Sequence, residues 1–89
     1  MEESWTFLSN HAHILLCLAQ SADLRVKEIA VRVGITERAV LRILSDLEVA
    51  GVIEKIRMGR HNRYTIHPDV PLRHPMESHK TVGHLMQLI

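Results

Sequence analysis

Apolar residues recur along this chain at helical spacing up to about residue 50 and then at extended spacing, which marks a change of element type. Over residues 9–20, Ile14, Leu15, Leu18 and Ala19 fall on one face of a first helix. Residues 23–26 read as a short extended link that could also serve as a third, edge strand. A second helix is predicted over 26–33, with Ile29 and Val33 facing inward. A third spans 37–50, where Val40, Ile43, Leu44 and Leu47 form the apolar stripe. Gly51 then stands where a left-handed residue ends a helix. Val52 and Ile53 open a strand, Gly59 and Asn62 supply a turn that tolerates positive φ, and residues 63–66 return with Tyr64 and Ile66 on one face. Pro68 stops the pairing. Pro68, Pro71 and Pro75 stiffen residues 67–75, because each fixes φ and lacks an N–H. After them Val82, Leu85, Met86 and Ile89 recur at helical spacing, predicting an amphipathic helix from about Met76. The pattern therefore divides into a compact unit over 1–67, a connector over 68–75 and a terminal helix over 76–89.

Within the compact unit, the run VKEIAVRVGITERAVLRILS places small, turning and apolar residues where two helices crossing steeply need them. Ala30 sits at the closest approach, Gly34 can end the first helix without Cβ strain, and Thr36 can cap the next. Val40 and Ile43 bury the second helix of the pair against Ile29 and Val33. This arrangement is a helix-turn-helix. The hairpin that follows directly carries Lys55, Arg57, Arg60 and Arg63, the character of a basic wing. The fold class expected is mainly α with a small β-hairpin (α+β).

With EIAVRVGITERAVLRILSDLEVAGVIEK leading into GRHNRY, the chain resembles winged helix-turn-helix transcriptional regulators of the MarR and ArsR type over residues 10–67. The resemblance implies sequence-specific binding of double-stranded DNA, usually by a homodimer and usually to repress a promoter. Larger members carry further helices that form an effector pocket and dimer interface. This chain is too short to hold all of them, so neither a small-molecule nor a metal effector is expected.

Composition fits one small domain. The chain has 89 residues, of which 46% are apolar, but its aromatic residues are Trp5, Phe7 and Tyr64, so the core must be aliphatic. Cys17 is the lone cysteine and can form no internal disulfide. There is no apolar run of bilayer length and no signal-peptide pattern, so a cytoplasmic protein without membrane contact is expected.

The net charge of +1 conceals a segregation of charge along the chain. Residues 25–63 hold nine Lys and Arg against five acids, whereas residues 1–24 hold acids alone. The excess thus falls on the helix-turn-helix and wing, where phosphates would be met. On the third helix, the inward set leaves Glu37, Arg38, Leu41, Arg42 and Ser45 on the opposite face. Arg38 and Arg42, four apart, are candidates for bidentate contact with guanine, with phosphate as the alternative. Leu41 is suited to a thymine methyl or to a partly buried flank. Thr36, Lys27 and Arg32 are expected at the DNA backbone, with Arg57, Arg60, His61 and Arg63 on the wing and Arg60 reaching a narrow minor groove.

Dimerisation is expected from the terminal segments. Trp5, Phe7 and Leu8 at one end and Val82, Leu85, Met86 and Ile89 at the other are apolar patches that a second copy would cover, unless the last helix folds back on its own domain. The seven histidines give no chelating pair: His11 and His13 are two apart, and His79 and His84 five apart. Cys17 follows His13 by four but is flanked by Leu16 and Leu18, as a packed thiol would be. No metal, cofactor or catalytic constellation is expected, and the chain reads as a binding protein rather than an enzyme. Two functions fit: a DNA-binding regulator, or a winged helix used as a protein interaction module. The arginines favour the first.

Overall fold

Helix α1 (Asn10–Gln20) starts where extended Ser9 turns its hydroxyl to accept a hydrogen bond from the Ala12 amide at 3.3 Å. The structure, a computed structural model, describes residues 5–88. Ala12, Ile14, Leu15, Leu16 and Leu18 of α1 are all buried, so the helix is enclosed on more than one side. Ala19, expected on the buried face, is exposed. It lies on the last turn of the helix.

Helices α2 (Val26–Val33) and α3 (Glu37–Val49) are joined by the tight turn that the residue spacing predicts. Gly34 takes φ 84° and its N–H reaches the Ala30 carbonyl at 2.8 Å, a conformation that would strain any Cβ-bearing residue. Thr36 is extended, and its Oγ1 accepts from the Ala39 N–H at 3.1 Å. Because this cap fixes the start of α3, Thr36→Ala should cost about 1 kcal/mol of stability, read as a lower urea midpoint with an unchanged slope. Ile14, Leu18, Ile29, Val40 and Ile43 form the most enclosed part of the core, where α1, α2 and α3 meet.

Beyond α3, the Val52 N–H closes onto the Leu47 carbonyl at 2.9 Å and the chain becomes extended. Strands β1 (Ile53–Met58) and β2 (His61–Ile66) pair antiparallel from Ile53 opposite Ile66 to Met58 opposite His61. That register leaves a turn of Gly59 and Arg60 alone. Asn62, expected in the turn, lies within β2 opposite Arg57. At its base the hairpin is tied to the domain by buried Val52, Ile53 and Tyr64, and by the Tyr64 N–H to the Ala22 carbonyl at 3.2 Å. That carbonyl lies just before the link over 23–26, and the link itself adds no third strand: the sheet among the described residues has two strands.

The C-terminal region departs most from expectation. The last helix, α4, spans Val82–Met86, and residues 76–80 form turns. Nor does the proline-rich segment stand apart as a connector. Leu72 N–H bonds the Lys80 carbonyl at 2.9 Å, Val82 N–H bonds the Val70 carbonyl at 2.8 Å, and Pro71 pairs with Thr81. These contacts fold the segment back, so that Val82 is buried in the same core as α1 while Val70, Leu72, Leu85 and Met86 pack against it. Ile89 lies outside the described residues.

Candidate nucleic-acid interface

The two faces of α3 differ sharply. Val40, Ile43, Leu44 and Leu47 are buried, whereas Glu37, Arg38, Leu41, Arg42 and Ser45 are all exposed, as the 3.6-residue period requires. Arg38 and Arg42 stand one turn apart, about 6 Å along the axis, and among the described residues no carboxylate pairs with either. Leu41 between them is 57% exposed, an apolar side chain on a wet face. On α2, Lys27 lies beside Thr36 and Glu37 around a shallow depression at the helix-turn-helix junction. Arg32 is exposed too, but it stands near Cys17 of α1 rather than in this group.

Strand register divides the wing cations between two faces. Lys55 opposite Tyr64 and Arg57 opposite Asn62 share the face that carries Ile53; Arg63 opposite Ile56 and His61 opposite Met58 lie on the other. The Arg57 Nε donates to the Gly59 carbonyl at 2.8 Å, which stiffens the wing. Arg63 sits 3.9 Å from Asp23 in an exposed pair worth little. Arg60 occupies the turn itself, beside Gly59 at φ 65°.

Two contributors escaped the sequence reading. A cleft of about 370 Å³ lies between the start of α2 and the wing tip, and it brings Arg25 and Asn62 together with Arg60 and His61. The signal for Arg25 was present: arginine occupies the N-cap of α2, where an acceptor side chain is normal. Burial pushes the Tyr64 phenol at the cleft above its ordinary range, so it stays neutral. A second missed contact is His11 Nε2 to Asp46 Oδ2, 2.9 Å, which ties α1 to the end of α3 across 35 positions.

The residues expected at a dimer contact are partly assembled. Phe7 and Leu8 line a groove of about 460 Å³ together with Val82 and Leu85. Trp5 and Phe7 form an edge-to-face pair with ring centroids 4.8 Å apart and are strongly exposed. Val82, however, is 3% exposed, because its place in the domain's own core removes it from any partner surface. Leu85 and Met86 are half-buried.

Burial pushes the Cys17 thiol up, and the nearby Arg32 charge only partly offsets this, so the group is a poor thiolate. His13 turns to Asn10, with 3.1 Å between Nδ1 and Oδ1. Among the described residues, no three His, Cys, Asp or Glu side chains gather as a metal site would require, and no helix is long and apolar enough to cross a membrane.

The sequence pattern of the winged helix-turn-helix DNA-binding family matches residues 9–54, slightly more than half of the chain. The chain belongs to that family. Solved structures with the same winged helix include the zinc-dependent MarR family transcriptional regulator AdcR in its Zn(II)-bound state, at 26% identity and TM-score 0.57, over 73% of this chain and 47% of that one. The PcaV transcriptional regulator from Streptomyces coelicolor, in complex with its natural ligand, gives 23% identity and TM-score 0.59, over 74% of this chain and 48% of that one. The zinc-responsive MarR family member ZitR from Lactococcus lactis gives 24% and 0.58, over 73% and 46%. At such identities PcaV and ZitR speak for the fold alone. The winged helix here spans about half the length of these relatives. No curated protein matches it in sequence.

Proposed function

We propose that this winged helix binds double-stranded DNA sequence-specifically as a transcriptional regulator, most simply a repressor that occludes a promoter in the cytoplasm. The observation that carries this reading is the exposed face of α3, where Arg38 and Arg42 flank Leu41 with no covering element among the described residues. Laid in a major groove, that face offers two guanidinium forks to guanine edges and one apolar contact to a thymine methyl. Arg60 at the turn of the wing then reaches the adjacent minor groove, where the potential is most negative. Lys27 meets the backbone near the start of α3. Binding alone is the activity, with no bond made or broken.

A homodimer fits this role, since two half-sites one helical turn apart require a two-fold partner. The groove that holds Phe7, Leu8 and Leu85 beside exposed Trp5 is the surface proposed for it. A second reading, a protein interaction module, is favoured by Val31 and Val49, which are 78% and 86% exposed on α2 and α3.

Selection of bound duplexes from a random pool at physiological salt separates the two. Recovery of an inverted repeat supports the regulator; a pool that stays random supports the module. On the recovered duplex, Arg60→Ala should reduce the slope of log affinity against log salt by about 0.9, the share of one neutralised phosphate. An unchanged slope would remove Arg60 from the contact.

A further inference from the structure

The cleft between the first turn of α2 and the wing tip has a chemistry that the fold itself does not use. Its rim carries Arg25, Arg60, His61 and Asn62, and its floor is Leu24 and neutral Tyr64; no carboxylate lines it. Each rim group can present an N–H, and the two arginines are permanent donors with no acceptor capacity. Among the described residues neither arginine has a carboxylate within ion-pair distance. Both are exposed.

Arg25 has no explanation in stability. It stands at the N-cap of α2, a position that favours Ser, Thr, Asp or Asn because an oxygen there accepts from the first-turn amides. A guanidinium cannot accept. The side chain makes no cap hydrogen bond, and the Glu28 carboxylate secures only the Arg25 N–H, at 2.9 Å. Arg25 therefore occupies a cap site without capping, while its charge lines the same cleft as that of Arg60.

Two cations from separate elements lining one cleft, with the N–H donors of His61 and Asn62 beside them, match an oxyanion with several acceptor oxygens. The chemistry called for is a phosphate. Resting on the proposed DNA-binding reading, we infer that this cleft seats one backbone phosphodiester of the bound duplex, on the edge of the minor groove that the wing meets, held by Arg25 and by Arg60 at the wing tip. The contact fixes how far the wing is inserted relative to α3. It positions and does not read bases.

Arg25→Ser tests this, because it restores a proper cap while removing the cation. Its thermal midpoint should rise by roughly 2–8 °C, so weaker DNA binding could not be blamed on misfolding. Its affinity for the selected duplex at 0.1 M salt should fall about eightfold and its salt slope by about 0.9. A scrambled duplex should lose the same factor, leaving the specificity ratio unchanged. Affinity and slope equal to wild type, while Arg38→Ala still weakens binding, would overturn the inference and leave the DNA-binding reading standing. A wild-type chain that binds no duplex would overturn both. Inorganic phosphate supplies the remaining arm, titrated by amide NMR without DNA. Saturable shifts at Arg25 and Arg60 in the wild type, lost in Arg25→Ser while duplex affinity is unaltered, would assign the cleft to free phosphate and overturn the inference.

Discussion

Replacing Arg38 or Arg42 with alanine is expected to lower affinity for the preferred duplex by about 5- to 150-fold each, the range of one bidentate base contact of about 1–3 kcal/mol. A fluorescence-anisotropy titration of preferred and scrambled duplexes side by side gives the sign of the role. Loss confined to the preferred duplex places the guanidinium on a base edge, as proposed. Equal loss on both would place it on a phosphate. Neither variant should alter folding, because both side chains are exposed and unpaired with any carboxylate among the described residues. The paired effects are not expected to add, since the two residues stand one turn apart on the same surface.

The largest effect on stability is expected at Ile29. Its side chain is fully buried at the junction of α1, α2 and α3, and truncation to alanine leaves a cavity that the surrounding helices can close only in part. Such truncations cost about 2–5 kcal/mol. A chain this small has about 4–13 kcal/mol to lose, so Ile29→Ala should lower the thermal midpoint by roughly 10–30 °C. Val31, two positions on and exposed, is the matched control. Its alanine variant should stay within about 0.5 kcal/mol of wild type, and equal losses at the two positions would contradict the packing described.

Local chemistry made the helix-turn-helix readable. Ala30, Gly34 and Thr36 each answer a steric or hydrogen-bonding need within a few residues, so the sequence marks the end of α2 and the start of α3 directly. The wing was legible as a hairpin but not in register. Gly59 and Asn62 both tolerate positive φ, so the loop length was ambiguous, and register decides which face each cation takes. Arg57 and Arg63 consequently part company, although they lie along one stretch of sequence.

The C-terminal segment misled for a different reason. Helical spacing of Val82, Leu85 and Met86 is a local signal, whereas the bonds from Leu72 to Lys80 and from Val82 to Val70 join residues eight and more apart and fold the segment onto α1. Periodicity carries no information about such closures. An arginine at the N-cap of α2 is an unusual cap that the sequence does show, but that it shares a cleft with Arg60 depends on where the wing folds, which no local signal carries.

Amide NMR of the labelled chain against its selected duplex decides whether α3 and the wing meet DNA, because it reports every element at once. The largest shifts are expected at Glu37, Arg38, Leu41, Arg42 and Ser45 of α3 and at Arg57, Arg60 and His61 of the wing, with α4 unmoved. Shifts gathered on α4 and the Trp5–Phe7 pair, with the α3 face silent, would contradict it.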